Sequence, residues 1–190
     1  MDKDRLAGII TFLKEAERLK DTLRSGYTAQ GKQESTAEHT WRLTLMAMMF
    51  SRDVNDCNLL KLLKLCIIHD LGEALSGDIP AIKQQRAPDK SEQELADLRT
   101  LCESLPQDLR EEMMDLWAEY EAGETREAVF AKGFDKLETI LKHNAGSNPS
   151  NFDYAFNLNY GKNYTDRDPL LAEIRVLLDS DTNKRMAESK

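Results

Sequence analysis

The chain has 190 residues, 41% of them hydrophobic, with 26 basic and 34 acidic side chains and a net charge of −8. That length supports one well-buried core and leaves little room for two large ones, so a single domain over residues 1–190 is expected. The acidic balance and the lack of any Lys/Arg cluster exclude a nonspecific grip on nucleic acid, although a small phosphate-bearing ligand stays possible where a metal and a few local cations outweigh the average field.

The N-terminus is charged from Asp2 onward, with no apolar leader, and no apolar run reaches the length needed to span a bilayer. A soluble cytoplasmic protein with no membrane attachment is expected. Residues 4–24 place Leu6, Ile9, Ile10, Leu13, Ala16 and Leu19 at three-and-four spacing, which predicts an amphipathic helix ending near Ser25-Gly26. Residues 26–35 read as a loop, with Ser35 or Thr36 as N-cap of a helix over 36–52 that carries Trp41, Leu45, Met46, Met48, Met49 and Phe50. The next buried element, 57–70, ends in His69-Asp70, with Gly72 behind it as a breaker or C-cap. Gly77-Asp78-Ile79-Pro80 reads as a turn, and the polar stretch 83–92 as the least ordered part. Further helices are predicted over 91–105, 107–121 and 124–144, bounded by Pro106 and by Gly123 and Thr125. Phe152, Ala155, Phe156 and Tyr160 predict a short helix closing at Gly161. A last helix opens near Asp168-Pro169, and its charged tail after Ser180 is expected to fray. No segment reads as a strand, so the fold class is all-α.

Cys57, Cys66 and Cys102 are odd in number and lack C-x-x-C spacing, which excludes a disulfide framework and a zinc knuckle. The chemistry concentrates instead on His39, the adjacent pair His69-Asp70, and Asp135. A lone helical histidine is more often a core residue satisfied by a neighbour. Two neutral imidazoles and two carboxylates together, however, make a nitrogen-and-oxygen cage that suits a catalytic divalent metal and leaves coordination positions free. Consecutive helical residues project about 100° apart, so His69 and Asp70 share an ion only at the helix edge, with His39 and Asp135 closing the shell from other helices. Glu73 returns to the same face, three and four residues on, where a carboxylate can move a proton; read alone it is an exposed acid near a helix end.

Glu38-His39-Thr40-Trp41-Arg42, His69-Asp70-Leu71-Gly72-Glu73-Ala74, Ser76-Gly77-Asp78-Ile79-Pro80 and Asp135-Lys136-Leu137-Glu138 resemble the HD-domain metal-dependent phosphohydrolase superfamily. Within it they are similar to the branch of bacterial 5′-deoxynucleotidases and allied eukaryotic HD-domain proteins. The resemblance runs over about residues 5–145 and implies an all-helical HD domain with a C-terminal helical extension over about 150–180. It implies one divalent ion, Co or Mn ahead of Mg, Fe or Zn, held by His39, His69, Asp70 and Asp135. Glu73 and Asp78 are implied to be catalytic, Asp78 also to handle substrate, and Arg24 to face the phosphate or sugar. Bacterial members carry a tryptophan directly after that arginine, where this chain has Ser25, its nearest aromatic being Tyr27.

A homodimer and a nucleotide substrate follow from the same resemblance, and the implied reaction is phosphate release from (deoxy)nucleoside 5′-monophosphates. A hydrolase of cyclic nucleotides or guanosine tetraphosphate and a noncatalytic metal-stabilised binding protein are the alternatives. Binuclear members use extra histidines before the final aspartate, and this chain has none between 70 and 135, which favours one metal. The third histidine, His143, lies eight residues past Asp135, about 12 Å along the helix, and reads as structural.

Overall fold

The computed structural model describes residues 2–78 and 90–188. Ile79-Pro80 of the expected turn and residues 83–89 of the polar stretch lie outside them. Helix α1, Lys3–Ala16, opens on Asp2, whose carboxylate accepts from the Asp4 amide. It stops short of the expected end. A 3-10 turn over Glu17–Lys20 leads into a two-stranded antiparallel hairpin, β1 Leu23–Tyr27 and β2 Gln33–Ser35. Thr28 and Lys32 close its loop by a 2.7 Å amide-to-carbonyl bond around Gly31, which has φ +80. The expectation of no strand is thereby corrected. The hairpin lacks apolar alternation because it lies across the rest of the protein: Gly26 touches the Lys142 side chain so closely that a Cβ would lie 2.3 Å from it.

Helix α2, Thr36–Met49, starts with a reciprocal cap in which Ser35 accepts from the Glu38 amide and Glu38 accepts from the Ser35 amide. Asn58 caps α3, Leu59–Ile68, and the chain then turns through residues 69–72 into the single turn α4, Glu73–Ser76. Helices α5, Lys90–Leu101, and α6, Gln107–Ala122, follow. Thr125 caps α7, Arg126–Ala145, by accepting from the Ala128 amide. Phe130, Phe134, Leu137 and Ile140 of α7 are fully buried among Leu43, Leu62, Leu65 and Leu171, and α2, α3, α6 and the final helix pack around it. Burying side chains of that size contributes about 1.5–3 kcal/mol each, which makes α7 the axis of the protein.

The short helix expected to close at Gly161 is instead a 3-10 turn, Tyr154–Leu158, followed past Gly161 by one helical turn, α8, Lys162–Thr165. The last helix, α9, Pro169–Glu188, does not fray after Ser180. Its apolar spacing ends at Leu178, but polar anchors continue: the buried Thr182 hydroxyl donates to Asn144 Oδ1 at 2.9 Å, and Arg185 donates to the Gly146 carbonyl at 3.0 Å. Among the described residues no helix is long and apolar enough to cross a membrane.

Gly72 is neither breaker nor C-cap. Its backbone is helical, with φ −61, and its place is set by close approach, since a Cβ there would lie 2.5 Å from the Glu94 carbonyl oxygen. Backbone cannot yield as a side chain tip does, so Gly72→Ala should cost about 1–3 kcal/mol, read as a lower urea midpoint at unchanged slope. A midpoint equal to that of the wild type would contradict this packing.

Candidate functional site

Three helices deliver the four metal-ligand candidates to one point. The α2 cap sets His39 in that helix's first turn, the end of α3 presents His69 and Asp70, and the buried middle of α7 supplies Asp135. His39 Nε2 lies 3.3 Å from Asp135 Oδ1 and 3.8 Å from Asp70 Oδ2, while His69 Nε2 lies 3.0 Å from Asp70 Oδ2 and 3.9 Å from Asp135 Oδ1. Those spacings match the edges of a shell whose bonds are about 2.0–2.2 Å.

The hydrogen bonds around the imidazoles select their tautomers. His69 Nδ1 donates to the Cys66 carbonyl at 2.9 Å, and His39 Nδ1 pairs with the Glu138 carboxylate. Each Nε2 is then the ring nitrogen left facing the carboxylates, and both are buried without a hydrogen-bond partner among the described residues. With carboxylates 3.0–3.9 Å away, those nitrogens call for positive charge between them: burial and Arg24 oppose it, but Glu138 and Asp135 raise the His39 pKa to about 9, and a divalent ion would take the place of that proton. The site therefore fits a divalent ion by the chemistry of its donors.

The carboxylates are held ionised. Burial pushes Asp70 up, but His69 and Arg24 outweigh it and keep its pKa well below the usual carboxylate range; Arg24 Nη1 donates to Asp70 Oδ2 at 2.8 Å. Burial likewise pushes Asp135 up, but Lys136 and both histidines outweigh it and keep its pKa well below the usual carboxylate range. Lys136 Nζ at 2.7 Å and the Tyr120 hydroxyl at 3.3 Å hold Asp135 Oδ2, leaving Oδ1 toward the imidazoles. Tyr120 stays a donor, since burial and then Asp135 raise its pKa well above the ordinary phenol. Behind His39, burial raises Glu138, yet His39 and Arg42 bring it down to about 2. Arg42 Nε donates to Glu138 at 2.7 Å, and Lys142 pairs with Glu34 at 3.3 Å. Glu34, His39 and Glu138 also approach one another, but these cations balance them, so they brace His39.

Asp70 and Asp135 line a cavity of about 390 Å³ together with Arg24, Glu73, Asp78 and Tyr27, and His39 and His69 lie buried against these two carboxylates. Every site residue expected from the sequence is thus brought to the same place. Glu73 is not the exposed acid that its place near a helix end suggests: it is buried, and Oε2 accepts from the Thr36 hydroxyl at 3.2 Å. Asp78 is half-buried at the rim. Burial disfavours the Arg24 cation, but Asp70, Asp135, Asp78 and Glu73 outweigh that and raise its pKa. Thr36, Arg42, Tyr120, Lys136 and Glu138 were not singled out beforehand as functional groups. Glu138 and Arg42 were legible in principle, each three residues past a ligand on the same helix face. Tyr120 sends no such signal.

His143, read from the sequence as structural, is buried, and it also lines this cavity. Burial first, then Lys142, lowers its pKa from 6.5 to about 4. Because the folded value lies below the unfolded one, the unfolded chain binds the extra proton, and stability falls as pH drops from 6.5 to about 4. The loss is on the order of 2–4 kcal/mol, and melting temperatures of His143→Gln should fall less across that window. Glu138→Gln should weaken Mn binding about 10–100-fold in a titration at unchanged helicity; unaltered affinity would remove Glu138 as the brace of His39.

The family model described as HD domain matches residues 16–175. The 5′-deoxynucleotidase HDDC2 of Mus musculus is 34% identical over 138 residues, covering 72% of this chain and 68% of that protein. The 5′-deoxynucleotidase hdd1 of Schizosaccharomyces pombe is 33% identical over 150 residues, covering 75% and 74%. A crystal structure from Magnetospirillum magnetotacticum, described as a predicted metal-dependent phosphohydrolase, superposes with a TM-score of 0.77 at 30% identity, over 95% of this chain and 97% of that one. With a match over most of its length and a fold that gathers two histidines and two aspartates around one point, the chain belongs to the HD-domain family.

Proposed function

We propose that the chain is a metal-dependent phosphomonoesterase that releases inorganic phosphate from (deoxy)nucleoside 5′-monophosphates. The observation that carries this reading is the pair of imidazole nitrogens, without hydrogen-bond partners among the described residues, that face Asp70 and Asp135 on the wall of a cavity that also holds Arg24 and Glu73. The mouse and fission-yeast relatives named as 5′-deoxynucleotidases support the substrate class.

His39, His69, Asp70 and Asp135 hold the ion, with Co or Mn favoured by the resemblance. When bound, a divalent cation supplies Lewis-acid polarisation of a phosphoryl oxygen and a more acidic water. Arg24 presents a planar fork to the remaining phosphoryl oxygens, and the carboxylates around it keep it charged. Glu73, oriented by Thr36, is the base that takes the proton of the attacking water or returns it to the leaving alcohol. Asp78, at the rim, accepts from a sugar hydroxyl. A noncatalytic metal-stabilised protein gives no reason to keep Arg24 and Glu73 in an open cavity beside the ligands.

The working state we propose is a cytoplasmic homodimer. Trp41, Met48, Leu60 and Ile67 leave a largely exposed apolar face on α2 and α3, of the kind that pairs with a second copy.

Asp70→Ala should lose metal retention and phosphate release together. Glu73→Gln should keep the metal and lose about 10²–10⁴-fold in kcat, measured as phosphate released from a panel of nucleoside monophosphates with added Mn or Co. A fully active Asp70→Ala protein would overturn the reading.

A further inference from the structure

Each lysine of α7 meets an acid, and two of those acids lie outside the four metal-ligand candidates: Lys132 pairs with Glu121 and Lys142 with Glu34, both at 3.3 Å. Lys136 differs, because its partner at 2.7 Å is Oδ2 of Asp135, itself one of the four. With a divalent ion bound, the two aspartates are neutralised by it, and the ammonium beside Asp135 keeps positive charge to offer an incoming anion.

Lys136 lines the cavity, and its side chain keeps 22% of its surface exposed against 5% for Asp135. The stem is covered by Gly161, which approaches so closely that a Cβ there would lie 2.6 Å from both Cβ and Cγ of Lys136. Open surface is therefore left to the far end of the side chain. The rings of Tyr160 and Tyr164 flank the ammonium at 5.4 and 5.6 Å, and Tyr160 lines the same cavity. Of the three N–H groups of an ammonium, Asp135 takes one and the Tyr160 hydroxyl is in reach of a second, so one is spare among the described residues.

Arg24 stands in the same relation to the other aspartate. Its Nη1 donates to Asp70 Oδ2 at 2.8 Å, and its Nη2 donates at 3.4 Å to Thr139, one turn along α7 from Lys136. One cation from the hairpin and one from α7 thus bracket the two carboxylates.

We propose that Lys136 is a further substrate-binding residue, which with Arg24 forms a two-cation clamp on the phosphoryl group and selects a terminal phosphate over a phosphodiester. A phosphomonoester has three free oxygens, one each for the ion, Arg24 and Lys136, whereas a diester has only two and a single negative charge. This deepens the nucleotidase reading and rests on it, since the metal centre is what places the phosphoryl group between the two cations.

The experiment measures calorimetric binding of inorganic phosphate and of dimethyl phosphate to the Mn-loaded protein. The wild type should bind phosphate at least about 10-fold more tightly than the diester. Lys136→Gln, whose amide still donates to Asp135 but carries no charge, should bind phosphate about 10–100-fold more weakly, with a matching rise in KM for a nucleoside monophosphate. Its affinities for Mn and for dimethyl phosphate should stay within about 3-fold, and Lys136→Arg should recover most of the lost phosphate binding. If the glutamine variant does not fold, Lys136→Met keeps the straight stem against Gly161 and should show the same loss. Phosphate affinity unaltered by loss of the charge, or lost only in step with Mn, overturns the clamp and leaves Lys136 a brace for Asp135. A wild-type protein that releases phosphate from no nucleotide overturns the nucleotidase reading, while the calorimetric comparison still decides the clamp.

Discussion

Everything in the cavity depends on an electrostatic imbalance at one point. Asp70 and Asp135 are ionised and withdrawn from bulk water, and two imidazoles turn their Nε2 atoms toward them because their Nδ1 atoms are engaged by Cys66 and Glu138. Charged and lone-pair groups so placed are costly unless a cation joins them. The surrounding residues keep that arrangement from relaxing: Lys136 and Tyr120 hold the outer oxygen of Asp135, Arg24 holds Asp70, and Arg42 holds Glu138.

Helix α7 organises three separate functions by angle alone. Phe130, Phe134 and Leu137 point into the core, Glu138 and Lys142 into the charged brace behind His39, and Asp135, Thr139 and His143 into the cavity. A helix with so many demands is buried nearly all round, and its polar residues must each find partners inside the protein. That explains why α9 is held to its last turns by Thr182 and Arg185 rather than by an apolar stripe. The extension beyond the motif region thereby reaches the cavity wall, because Asn157, in contact with Asn144, also pairs with Nδ1 of His143.

Much of this site was legible beforehand because its ligands sit in short, chemically specific runs. The cap at Ser35–Glu38 announced the helix that carries His39, and the His69-Asp70-x-x-Glu73 run placed a candidate base beside two candidate ligands. What could not be read came from pairings between distant segments. The hairpin that delivers Arg24 has no apolar alternation, since Gly26 lies against the Lys142 side chain rather than on a half-solvated sheet. Leu19 extended the apolar spacing of α1 past Ala16, although the chain there tightens into a 3-10 turn and reverses into β1. Gly72 looked like a stop signal and is instead a contact with Glu94 in another helix.

By itself the sequence determined a helical protein and the identity of the metal-ligand candidates, because periodicity and residue chemistry are local properties that survive without coordinates. Only the tertiary structure decided which oxygen of each carboxylate faces the imidazoles, that Glu73 is buried, that Tyr120 and Glu138 brace the ligands, and that His143 shares their cavity. Those outcomes depend on the angles at which α2, α3 and α7 cross and on hydrogen bonds between residues as far apart as His39 and Glu138. Such contacts leave no periodic trace along the chain.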